Sequence, residues 1–218
     1  SFIGLPLIFG AISKLTGLDY LPFFTPLFSV LGVLFFYLLV KELFNRYTAL
    51  IAAILAFIVP AWWYYSAKGM MPNALFISFF IITLYFLIKS LRARQWFFYA
   101  GFGLTLALSL MVRTVEVVWL APFLLGIFLF NLKKIKWLYL LMATVICLAV
   151  FSVILYFNQQ IYGHIFSWGY DFKLPAGENN LIVQGLNFLE QLFLPFGFRP
   201  QVALGHLYDY TFRLFPLW

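Results

Sequence analysis

Pro22 to Val40 reads PFFTPLFSVLGVLFFYLLV, a run without one charged side chain. It is about the 20 apolar residues that a helix needs to cross a hydrocarbon core roughly 30 Å thick. Its two prolines fall in the first turns, where a missing N–H costs least. The segment therefore reads as a complete membrane span. The rest of the chain is made of the same material: 65% of the 218 residues are hydrophobic, 22% aromatic and 10% charged, with a mean hydropathy of +0.99. A soluble domain carries about 25% charge, so composition alone gives an integral membrane protein. The fold class that follows is all-α, a polytopic bundle of transmembrane helices, because lipid leaves backbone groups no partners outside the helix itself.

Five more spans follow it: Tyr47 to Tyr65, Ala74 to Ile88, Trp96 to Val112, Val117 to Phe130 and Trp137 to Phe157. These six make residues 22–157 the membrane bundle. Before them, Ser1 to Tyr20 is apolar but broken by Gly4, Pro6, Gly10 and Gly17, with Lys14 and Asp19 near its end. Residues 1–21 suit an interfacial helix better than a span. After them the sequence changes at Asn158, where NQQIYGHIFSWGYD turns polar and aromatic. Residues 158–218 are expected to form a water-facing region: a loop at Leu174 to Asn180, an amphipathic piece from Leu181 to Leu194, and a return to the membrane from Tyr210. The chain starts at Ser1 and stops at Trp218, which reads as a piece of a longer protein.

The net charge of +7 would suggest a nucleic-acid partner in a soluble protein. Here the basic residues sit in short gaps between apolar runs, which is a topology signal and excludes nucleic acid as the expected partner. Lys41 and Arg46, then Lys89, Arg92 and Arg94, then Lys133, Lys134 and Lys136 occupy alternate links and account for eight of the 14 Lys and Arg. The positive-inside rule makes those links cytoplasmic. Residues 1–20, the SAKGMMPN turn (Ser66 to Asn73), the Arg113 to Glu116 turn and everything after Asn158 then face outward together, as one outward-facing site requires.

Few residues on that side can do chemistry. Arg113 and Glu116 are three apart and on a continuing helix would simply pair. Alternatively, Arg113 at the membrane edge binds a lipid phosphate through bidentate hydrogen bonds. Lys68 admits the same role, although snorkelling accounts for it more simply. Asn158, Tyr170 and Asp171 are candidates for sugar or acceptor contacts, the rings offering apolar faces to a pyranose, while Asp171 and Asp209 fit turn residues equally well. Glu178 and Glu190 read as plain surface. His164 and His206 have no HxxxH or HExxH spacing, so no metal site or other cofactor is identified; a divalent metal is compatible with the sequence but not supported by it. The one cysteine, Cys147, lies in an apolar run. There is no GxSxG, Walker or GxGxxG motif, and hydrolase, nucleotide-driven and dinucleotide chemistries lack their footprints.

Four features together resemble the multi-span glycosyltransferases that use polyprenyl-phosphate sugars, the GT-C group that contains protein O-mannosyltransferases, aminoarabinose transferases and bacterial mannosyl- or galacturonosyltransferase-like proteins. Gly4-Leu5-Pro6-Leu7 through Lys14-Leu15-Thr16-Gly17 looks like the family's GxPL run. Lys41-Glu42-Leu43-Phe44 followed by Ala49 to Pro60 is similar to its basic turn and alanine-rich span. Val112-Arg113 through Leu120-Ala121-Pro122 looks like its basic residue, apolar stretch and proline. Asn158 with Tyr162-Gly163 and Gly169-Tyr170 is similar to the N-x-x-x-[FY]-G…G-Y pattern of bacterial members. The resemblance implies an inverting transferase that moves a sugar from a polyprenyl phosphate to a lipid, glycan or protein acceptor, in a bacterial or archaeal plasma membrane with its active face outside. It also implies a catalytic aspartate in an outer loop ahead of the GxPL run, upstream of Ser1; Asp19 follows the run and does not inherit that role. The alternative is a transporter or flippase of lipid-linked intermediates. Mid-span charges and internal repeats would favour it, and the span centres hold no Lys, Arg, Asp or Glu.

Overall fold

The computed structural model describes residues 3–162 and, beyond them, Gly205 and Tyr208. The chain divides into two compact units, Ser1–Gly169 and Tyr170–Trp218, and the first contains every element below. The expectations placed on His164, Tyr170, Asp171, Glu178, Glu190, His206 and Asp209, and on the tail beyond Tyr162 apart from Gly205 and Tyr208, lie outside the described residues.

Among the described residues every regular element is helical: α1 (Gly4–Thr16), α2 (Leu21–Leu43), α3 (Arg46–Ile58), α4 (Pro60–Ala67), α5 (Pro72–Ala93), α6 (Trp96–Val112), α7 (Val117–Phe130) and α8 (Trp137–Tyr162). Helix starts are written into the sequence. Proline occupies the first turn of α2, α4 and α5, where its fixed φ suits the helix and its missing N–H is not needed. The Asn45 side chain caps α3 by accepting from the Thr48 N–H at 2.9 Å, one of the orphan donors of a helix N-terminus. The α5 helix is closed by Arg94 in the left-handed region at φ 53°, its N–H reaching the Ser90 carbonyl at 3.1 Å.

By length and apolarity α2, α5 and α8 can each cross a membrane alone, and all three run past the limits expected from the sequence. The segment 47–65 is not one helix. It breaks between α3 and α4, which meet at 61°, because Val59 precedes Pro60 and sits at φ −58°, ψ 118°, the extended conformation that a following proline enforces. The pair α6 and α7 also reverses sharply, by 118° across the Arg113 to Glu116 turn. At 1.5 Å per residue α7 is only about 21 Å long. By length and composition the described helices amount to three crossings, or five if each bent pair counts as one.

Packing runs in a row, with α3 on α2, α2 on α5, α5 on α6 and α6 on α8, while α1 lies across α2 and the end of α6. Two apolar clusters fill it. Leu5, Phe9, Phe24, Leu75, Phe76, Phe79, Ile82, Val112 and Leu120 form one, and Leu87, Leu91, Tyr99, Phe102, Leu124, Ile135 and Ala143 form the other. Close approach depends on small residues, as between membrane helices generally. A Cβ on Gly103 of α6 would run into the Ala143 backbone of α8, its Cα 2.9 Å away. Some buried hydroxyls turn back on their own helix, Ser78 to the Ala74 carbonyl at 2.8 Å and Thr83 to that of Phe79 at 2.7 Å, which satisfies them in a medium without water; those of Ser13, Ser29 and Ser66 have no such partner.

The links sort to two ends. At one, Glu42 binds Lys89 at 2.7 Å and Arg92 at 3.3 Å, and Arg94 donates to the Lys133 carbonyl at 2.9 Å. All three basic links therefore meet. At the other, the Met70 N–H donates to Thr25 Oγ1 at 3.1 Å, Arg113 reaches Asn73, and α1 packs on the last turn of α6. Helices α6 and α8 run parallel: Tyr99 Oη accepts from the Lys136 N–H at 3.1 Å, and one turn on Gly103 meets Ala143. Helix α8 thus carries Asn158 toward the Arg113 end.

Candidate functional site

The site is built where α6 stops. Val112 is its last helical residue, and Arg113 leaves the helix at φ −140°, ψ 85° while its N–H still reaches the Ser109 carbonyl at 3.1 Å. A single tight turn, Thr114 to Glu116, then feeds α7. The break turns the Arg113 side chain toward two helix starts. Its Nη1 donates to Asn73 Oδ1 at 2.8 Å in the first turn of α5, and its Nη2 lies 2.9 Å from Glu116 Oε1 at the start of α7. The guanidinium also sits 6.0 Å from the centroid of the Phe76 ring, within cation–π range.

Glu116 is itself oriented, its other carboxylate oxygen accepting from Trp119 Nε1. Its side chain is 17% exposed against 40% for Arg113, so the carboxylate is the more sheltered half of the pair. Two of the five guanidinium donors are committed to Asn73 and Glu116, which leaves the others for an incoming acceptor. An ion pair this exposed contributes at most about 1 kcal/mol. The uncommitted donors can take up an acceptor while Asn73 and Glu116 keep the guanidinium oriented.

Gly4 fixes the frame. A Cβ there would collide with the Met111 carbonyl, two residues before Arg113, and would stand 3.0 Å from Val112 N. The backbone of α1 can lie directly on the end of α6 only because residue 4 has no side chain. Phe9, fully buried, packs edge-on against Phe24 of α2 with ring centroids 5.5 Å apart, which ties α1 to that helix as well.

Of the residues singled out in the sequence, Arg113 and Glu116 are brought together. They pair across a helix break rather than along a continuing helix. Lys68 lies at the same end but is turned to its own element: Nζ donates to Tyr64 Oη and rests 4.1 Å from that ring's centroid. Asn158 is buried, at 3% exposure, on α8. Tyr170 and Asp171 lie outside the described residues. Asn73, Trp119 and Gly4 take part without having been singled out as site residues. The one signal for Asn73 was its place, an amide directly after Pro72 at the head of an apolar run. Among the described residues no three of His, Cys, Asp and Glu come together as a metal site would need.

The family model for dolichyl-phosphate-mannose-protein mannosyltransferases matches residues 6–157. The chain belongs to that family. The matched stretch includes the Arg113, Asn73 and Glu116 constellation and stops at residue 157 of α8, one position before Asn158. Neither a curated protein nor a solved structure matches the chain. Membership in the mannosyltransferase family makes this a membrane glycosyltransferase of the GT-C type, a class whose sugar donors are carried on polyprenyl phosphate.

Proposed function

We propose that the protein transfers a sugar from a polyprenyl phosphate to a lipid, glycan or protein acceptor on the outer face of the membrane, with inversion at the anomeric carbon. Arg113 is the residue we assign to the donor phosphate. In a single displacement the acceptor oxygen bonds to the anomeric carbon as its proton passes to a general base and the bond from that carbon to the phosphate oxygen breaks, and the charge that develops is on the departing phosphate oxygens. A guanidinium already oriented by Asn73 and Glu116 meets that charge without reorganising, and more strongly than it meets the ground-state diester. Lys68 is the second cation we place near the donor, and Asn158, Tyr170 and Asp171 are the proposed contacts to sugar or acceptor. The observation that carries the reading is the hold on Arg113: a half-exposed cation kept in place from two helices at the end of the bundle away from the other basic links.

The test is turnover of the intact protein, reconstituted in vesicles with a labelled polyprenyl-phosphate sugar. Arg113→Ala is expected to lower kcat by about a hundredfold to a thousandfold, the scale of removing one preorganised stabiliser of developing negative charge. Arg113→Lys restores part of it, since a point charge lacks the planar fork. Glu116→Gln separates roles: if Arg113 serves the phosphate, freeing it from its carboxylate leaves KM for the donor unchanged or lower. Normal turnover in Arg113→Ala would remove Arg113 from the mechanism.

A further inference from the structure

The opposite end of the bundle carries a separate feature. Arg94, Lys133, Lys134 and Lys136 are all exposed, and among the described residues none has an acidic partner. The one described acid at this end, Glu42, is taken up by Lys89 and Arg92; Asp19 and Glu116 belong to the other end. A topology signal would be met by lysines on loose loops. These are not loose. Arg94 ties its link to the next by donating to the Lys133 carbonyl at 2.9 Å. Between Lys134 and Lys136 the side chain of Ile135 is buried in the core, and the Lys136 N–H is bound to Oη of the fully buried Tyr99. Lys136 Nζ lies 5.2 Å from the Tyr139 ring centroid.

Four like charges are thus held in one corner, and their mutual repulsion is offset by no described carboxylate. Lys136 directly precedes α8, where the helix dipole is positive and adds to the repulsion. An anion is the missing partner. Its source is set by the surroundings: Trp96, Phe130, Leu132 and Trp137 are 59%, 92%, 46% and 63% exposed around the corner. Aromatic and apolar side chains at that density beside lysines mark the height of the lipid headgroups. We propose that Arg94, Lys133, Lys134 and Lys136 form a binding corner for the phosphate headgroup of an acidic phospholipid, in whichever leaflet this end meets. Arg94, with one amino group committed to Lys133, presents its remaining donors in a fixed plane, and the lysines supply adaptable charge.

The test is binding of short-chain phosphatidylglycerol and phosphatidylcholine to the intact protein in mild detergent, read by native mass spectrometry. Phosphatidylglycerol is expected to bind preferentially. The combined variant Lys133→Gln, Lys134→Gln, Lys136→Gln should weaken it by about a hundredfold, roughly fivefold for each basic residue near an anionic headgroup. The corresponding triple arginine variant keeps the preference, and so does Lys14→Gln at the far end. Equal binding of the two lipids by the unaltered protein would overturn the proposal, a result that does not depend on any variant folding. So would an unchanged preference in the triple glutamine variant. Full displacement of phosphatidylglycerol by an equal concentration of inorganic phosphate would also overturn it, by showing a site for the free anion.

Discussion

Gly4 and Gly103 show how much at the residue scale turns on a missing side chain. Each faces a backbone rather than a side chain, Met111 in one case and Ala143 in the other, so neither neighbour can rotate away. Gly103→Ala is expected to cost about 1–3 kcal/mol, the range for overpacking a fitted contact, and Gly4→Ala to loosen α1 from α6 beside Arg113. Gly10 is exposed, and a methyl group added to it would meet nothing within 4 Å. It is the control: Ala there is neutral or stabilising by up to about 1 kcal/mol. Unfolding in detergent titrated with dodecyl sulfate checks all three, and equal stability of Gly103→Ala and Gly10→Ala would refute the close approach. These positions also mark a limit of sequence reading. Gly4 was visible within a GxPL run, but its reason is a carbonyl far along the chain. The Arg113 to Glu116 pairing was legible because it is local; Asn73, 40 residues away, was not.

At the scale of elements, the apolar runs located the helices because lipid permits no other backbone arrangement to stand alone. What they did not locate is where a run bends. Val59-Pro60 lies in the middle of an unbroken apolar stretch, and hydropathy does not register a lost N–H. Restoring that donor should straighten the pair. Pro60→Ala is expected to let α3 and α4 join, lengthening the distance between spin labels at residues 47 and 65 by about 3 Å, given a rise of about 1.5 Å per residue on either side of the bend. An unchanged distance would place the cause of the bend in tertiary packing instead. The α6 to α7 reversal was legible as a turn because it contains charge, Arg113 and Glu116, inside an otherwise apolar stretch. The sharpness of that turn, and hence the direction in which Arg113 points, was not.

At the scale of the whole molecule, the positions of the cations predicted which links should share a face, and the described residues show the three basic links meeting through Glu42 and through Arg94. That grouping was legible because loops shorter than a helix must stay at the ends of their helices. The ties themselves were not, since they join residues some 40 to 50 positions apart. Function as proposed requires the two ends to face opposite sides of the membrane, with Arg113 outside. The most direct test replaces Cys147, the one cysteine in the chain, by Ser and introduces either Gly69→Cys or Lys134→Cys. Intact cells are then treated with a membrane-impermeant maleimide. Cys at 69 is expected to react from outside, and Cys at 134 only after the membrane is opened. Reaction of both from the same side, or of 134 alone in intact cells, would contradict the outward placement of Arg113.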